Sequence, residues 1–115
     1  MKALKNCIKL GCSVKIYVPS TSNVNETADT SQWVDASMKL LAQEFGGATA
    51  TQALGAWLSM EKGLVKERVT LVIAYTTSEG ISQKIDLIYE FCEKMKKDLS
   101  QETIALEINN ELYFI

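Results

Sequence analysis

Arg68 is the only arginine of the chain; it follows Glu67 at the start of an apolar run, shortly after Trp57. A guanidinium offers a planar fork of donors suited to phosphate or carboxylate. An indole offers a flat surface on which a base or another ring stacks. Tyr17 and Tyr75 carry polar tips that can orient a ligand, and Thr49 adds a hydroxyl. Arg68, Trp57, Tyr17, Thr49, Glu67 and Tyr75 therefore form the candidate ligand-binding set. Each has a plainer reading: Arg68 as an edge ion pair with Glu67 or Glu107, Trp57 as a core or subunit contact, and Thr49 as a strand former.

Acid–base chemistry is harder to assemble. The chain contains no histidine, which removes Ser-His-Asp and Cys-His catalysis and His-containing zinc sites in their usual forms. A general base would have to be a buried carboxylate with a raised pKa, such as Glu67 or Glu107. Gly46-Gly47 lacks the spacing of a phosphate loop and precedes a strand. The three cysteines, Cys7, Cys12 and Cys92, are too few and too irregular for a disulfide framework or metal cluster. Cys92 reads as a small apolar residue on a helix. No catalytic residue, metal or cofactor is expected.

Bulk properties narrow the class further. The chain has 115 residues, 47% of them hydrophobic, and a formal charge of −2. That length suggests one domain over 1–115. The lysines are scattered among acids, which argues against nucleic acid as a partner. No apolar run approaches the ~20 residues of a spanning helix, and Lys9 interrupts the only candidate leader, so the expected location is the cytoplasm of a bacterial or phage-infected cell, with no membrane partner.

The elements that must position these residues follow from periodicity. Val14, Ile16 and Val18 alternate with Lys15 and Tyr17, a half-buried strand ended by Pro19. Residues 1–12 read as an extra strand or an arm, and Ser20–Thr30 as a polar, turn-rich loop. A helix starts near Asp29–Ser31, carries Val34, Met38, Leu41 and Phe45 on one stripe, and stops at Gly46-Gly47. Two strands follow, 48–58 and 66–75, joined by a turn at 59–63. Thr49, Thr51 and Trp57 share one parity of the first strand. Both parities of the second are apolar, as in a strand covered on both sides. Thr77 and Glu79 open a second helix, with Ile81, Ile85, Ile88, Cys92, Met95 and Leu99 as its core stripe. Residues 104–108 and 111–115 form a hairpin around Asn109-Asn110. The order specifies an α+β, ferredoxin-like β-α-β-β-α-β sandwich with an extra C-terminal β-hairpin strand and two helices on one face of an antiparallel sheet. The other face needs a cover, for which a second copy of the chain is the natural choice.

Phe45-Gly46-Gly47-Ala48-Thr49, Gly55-Ala56-Trp57 and Val65-Lys66-Glu67 resemble the centre of a group of small uncharacterised proteins of bacteria, phages and plasmids. Lys15 to Thr21 and the 104–115 hairpin resemble the phage and plasmid members. The resemblance implies a ferredoxin-like fold, often dimeric, and assigns no catalytic residues. By architectural analogy it points to an anti-defence sponge: a non-enzymatic homo-oligomer that sequesters a nucleotide-derived signal, a cyclic nucleotide or ADP-ribose derivative, with Arg68 on the phosphate and Trp57 or Tyr17 on a ring. The alternatives are a module that inhibits a host protein, and a cofactor-independent dimeric ferredoxin-like enzyme relying on Glu67 or Tyr17.

Overall fold

The structure is a computed structural model that describes residues 2–22, 26, 27 and 29–115. Its strands are β1 (Cys12–Pro19), β2 (Thr21–Ser22), β3 (Glu26–Thr27), β4 (Thr49–Ser59), β5 (Gly63–Thr76), β6 (Ala105–Ile108) and β7 (Glu111–Phe114); its α-helices are α1 (Ser31–Phe45) and α2 (Ser78–Asp98). Five strands form one antiparallel sheet in the order β4-β5-β1-β6-β7. β2 and β3 pair separately within the polar loop, of which residues 23–25 and 28 lie outside the described residues. The architecture is the expected ferredoxin-like α+β sandwich, with β7 as the added hairpin strand.

The local signals act as their chemistry requires. Asp29 accepts a hydrogen bond from the Ser31 amide at 3.0 Å at the start of α1. Gly46 ends that helix at φ 93°, a left-handed conformation that suits glycine. The Thr77 hydroxyl accepts from the Gly80 amide at 3.0 Å and caps α2. Asn109 and Asn110 both adopt positive φ, 51° and 68°, the geometry of a tight two-residue hairpin turn.

The core lies between the helices and one side of the sheet. Val14, Ile16 and Val18 of β1, Val72 and Ala74 of β5 and Leu106 of β6 meet Leu41 of α1 and Ile88, Cys92 and Met95 of α2. Burying each large aliphatic side chain contributes about 1.5–3 kcal/mol relative to exposure.

One expectation needs correcting. β5 is an interior strand, but the chain covers only one of its sides, because both helices lie on the Val72 and Ala74 side. Val69, Leu71, Ile73 and Tyr75 face the open side, and Tyr75 is 59% exposed. Of the two readings of the N-terminal segment, a strand or an arm, residues 2–11 take the second: they make a 3-10 turn at Lys2–Leu4 and an exposed lead into β1.

Candidate functional site

The open side of the sheet carries a notch whose position follows from strand lengths. β1 ends at Pro19, opposite Val69. Proline has no N–H with which to carry a ladder forward. β4 and β5 continue past that point, paired without interruption from Ala53–Val69 to Ser59–Gly63. On the other side, the chain leading into β6 passes through Thr103 and Ile104. Reciprocal backbone hydrogen bonds between Ile104 and Ile115, at 3.1 and 2.9 Å, hold the end of β7 there. The Ser20 hydroxyl donates to the Arg68 carbonyl at 2.7 Å and ties the chain leaving β1 to β5. The result is a cavity of about 460 Å³ whose lining includes Tyr17, Gly55, Trp57, Glu67, Ala105 and Phe114.

Register explains the chemistry of its walls. Gly55 stands directly opposite Glu67, so no side chain from β4 crowds the carboxylate. Trp57 lies on the same side of β4 as Gly55 and is 47% exposed, leaving the indole available to a ligand. Tyr17 donates its phenolic hydrogen to Glu107 Oε1 at 3.2 Å, while Lys15 Nζ lies 3.3 Å from Glu107 Oε2. Partial burial, followed by the Glu107 charge and hydrogen bond, raises the Tyr17 pKa above its usual value, and the Lys15 charge only partly opposes this. Tyr17 therefore stays a neutral hydrogen-bond donor across the physiological range.

The six residues singled out in the sequence divide among three places. Trp57, Glu67 and Tyr17 share the notch. Thr49 and Tyr75 lie toward the opposite end of the sheet, where both border a cavity of about 390 Å³ beside Gly46 and Gly47. Arg68 borders the notch with its backbone, but strand alternation turns its side chain to the helix side, in register with Leu54. There it faces a cavity of about 450 Å³ at the N-terminus of α1, lined also by Asp29, Thr30 and Asp35. Arg68 on a phosphate and Trp57 or Tyr17 on a ring thus cannot act on one small ligand from the same side of one subunit. Glu107 pairs with Lys15 and Tyr17 rather than with Arg68, because β6 adjoins β1 and not β5. Lys15, Gly55 and Phe114 escaped the sequence reading. The shared parity of Lys15 and Tyr17 was a visible signal, but the pairing that brings Phe114 to the notch was not.

Among the described residues there is no cluster of three or more His, Cys, Asp or Glu side chains placed to hold a metal ion. Among them, too, no helix is long and apolar enough to cross a membrane.

No family model and no curated protein matches the chain. Two similar solved structures are those of a phage SAM lyase. The complex with S-methyl-5'-thioadenosine superposes with a TM-score of 0.65 at 18% identity, covering 97% of this chain and 94% of the lyase. The apo state gives 0.63 at 19% identity, covering 91% and 88%. At such identities the likeness is one of fold. It nevertheless overturns the expectation of a non-enzymatic sponge: these two structures, which share the architecture over 94% and 88% of their length, are of a phage enzyme, one of them in complex with a small nucleoside ligand, and the enzyme alternative is the better supported.

Proposed function

We propose that the chain is a SAM lyase whose nucleoside seat is the notch around Trp57, Glu67 and Tyr17. The observation that carries this reading is the match over 97% of the chain to a lyase holding methylthioadenosine. The notch supports it independently. Its volume of about 460 Å³ falls within the roughly 300–1,000 Å³ of small-molecule sites, and it combines aromatic walls with a carboxylate.

The reaction suits a chain without histidine. In SAM the sulfur is a sulfonium, so the arm's own carboxylate oxygen can bond to the carbon attached to sulfur, closing a five-membered lactone, while the carbon–sulfur bond breaks with its electron pair passing to sulfur. The leaving group is the neutral thioether methylthioadenosine, and its departure requires no proton. The protein's work is binding and orientation, and holding reacting groups in place can lower a barrier by about 7–11 kcal/mol. Trp57 stacks against the adenine. Glu67 pairs with the α-ammonium of the arm and fixes its conformation relative to the sulfonium. Tyr17, anchored by Glu107 and Lys15, donates a hydrogen bond from the notch wall. An overall charge of −2 also favours the approach of a cationic substrate.

The test is to incubate the purified protein with SAM and follow methylthioadenosine by chromatography. Turnover by the wild type and a loss of at least about tenfold in Trp57→Ala, the scale of one stacking contact, would support the reading. Intact SAM after prolonged incubation, with no methylthioadenosine binding by calorimetry, would overturn it.

A further inference from the structure

Among the described residues, Gly55 is the one glycine in the interior of a strand. Glycine is disfavoured there relative to alanine, because it loses the most backbone freedom on folding and brings no side chain to pack. The fold supplies no reason for it. Gly55 is not in the left-handed region, whereas Gly63, where β5 leaves the turn, is at φ 72°. The β4–β5 ladder runs from Thr49–Ile73 to Ser59–Gly63 in one register, so no bulge calls for a glycine. A methyl group at position 55 would meet nothing closer than the Glu67 carbonyl oxygen at 3.7 Å, an ordinary contact. Gly80 is the opposite case: a methyl group there would collide with the Thr76 hydroxyl.

What a side chain at position 55 would occupy is space in the notch. Alternation puts this position on the same side of β4 as Trp57, and both line the cavity with Glu67 of the facing strand. Residues two apart on one side of a strand stand about 6.6 Å apart. A flat ring lying between two side chains needs about 3.5–4.0 Å to each, slightly more than that spacing provides. Only a bare position beside Trp57 leaves a slot one ring thick against the indole.

We infer that Gly55 is a specificity-determining residue of the notch: it is the floor beneath a flat ring stacked on Trp57, and its missing side chain is what admits that ring. The inference rests on the lyase reading for the identity of the ring, the adenine of SAM and of methylthioadenosine. Position 55 then governs the base and Glu67 the arm. A side chain at 55 weakens every ligand that carries the base, with or without the arm.

Calorimetry with methylthioadenosine reads the slot alone, because this ligand has the base and lacks the arm. Gly55→Ala should melt at or above the wild-type temperature and bind methylthioadenosine more weakly. Gly55→Leu should keep a native circular dichroism spectrum and bind at least about tenfold more weakly, the scale of one lost stack, with KM for SAM raised by a similar factor. Thr51→Leu, four residues away on the same side of β4, should bind as the wild type does. A Gly55→Ala variant melting more than about 5 °C below the wild type would show that the fold itself requires the glycine and would overturn the inference. So would methylthioadenosine binding that Gly55→Leu leaves unchanged, or equal losses in Gly55→Leu and Thr51→Leu; in each of these cases SAM turnover by the wild type leaves the lyase reading standing. A wild type that binds no methylthioadenosine overturns the inference, and the lyase reading with it if SAM also stays intact.

Discussion

Trp33 donates its indole hydrogen to Asp98 Oδ2 at 2.7 Å, joining the first turn of α1 to the last residue of α2. The same ring stands edge-on to Phe91 of α2, with centroids 5.4 Å apart and planes at 72°. One side chain thus supplies both a polar and an aromatic link between the helices. Trp33→Phe keeps the ring contact and removes the donor. It should cost about 1 kcal/mol in urea unfolding, whereas Trp33→Ala, losing both, should cost more. A Trp33→Phe variant as stable as the wild type would show that the hydrogen bond contributes nothing, and equal stabilities for the two variants would show the same of the ring contact.

Glu67 and Arg68 are adjacent in sequence and face opposite sides of β5. In the proposed lyase, Glu67→Gln should therefore lower kcat/KM for SAM by about a hundredfold or more, the range typical of losing a charged contact in an active site. Methylthioadenosine binding should be largely kept, because the product lacks the ammonium that Glu67 holds. Arg68→Ala should leave the kinetics of the notch near wild type. A larger loss from Arg68→Ala than from Glu67→Gln would place the chemistry on the helix side of the sheet.

The fold was legible because its signals are local. Gly46-Gly47, Thr77, Asn109-Asn110 and the stripe Ile81–Leu99 each determine their structure within a few residues. The alternation of β4 and β5 also placed Trp57 and Glu67 on defined sides, once the strand pairing was known. The notch was not legible, because it arises from where β1 stops relative to its neighbours, and that depends on pairings such as Pro19 with Val69. Arg68 illustrates the difference. Its uniqueness and chemistry drew it into one set with Glu67, while the two-residue period of a strand separates their side chains. The proposed lyase activity has no local mark either, since a substrate that carries its own leaving-group activation would need none of the usual catalytic motifs.

Acid stability should depend on two carboxylates held below their usual pKa. Asp29 is lowered chiefly by its side-chain hydrogen bond with Ser31, and Glu93 chiefly by the Tyr89 hydroxyl, which donates to it at 2.9 Å. A depressed folded pKa means that the unfolded chain binds more protons in that range. The stabilisation is therefore complete above the unfolded values and is lost as pH falls through the folded ones. Melting temperatures measured from about pH 6 to pH 3 should fall less steeply for Asp29→Asn than for the wild type, because the variant lacks one of these linked protonations. Parallel curves would show that Asp29 carries no pH-linked stability.

The thiols should separate by burial. Cys92 is completely buried in the core against the sheet, and desolvation, with a smaller contribution from the Glu93 charge, pushes its pKa up from 9.0 to about 12. Cys7 is exposed. Because the thiolate is the nucleophile, Cys7 should react with a disulfide reagent at pH 8 without unfolding, whereas Cys92 should react only through opening of the core. The same shift makes an alkaline prediction. A raised folded pKa gives stability that is complete below the unfolded value and declines as pH rises from about 9 toward about 12. Cys92→Ala removes that ionisation at the cost of a small cavity, so its melting temperature should be lower near neutrality but fall less between pH 9 and 11. Mass spectrometry of the labelled native protein checks the first expectation. Rapid labelling of Cys92 at the rate of Cys7 would mean that the helix–sheet core opens far more readily than its burial implies.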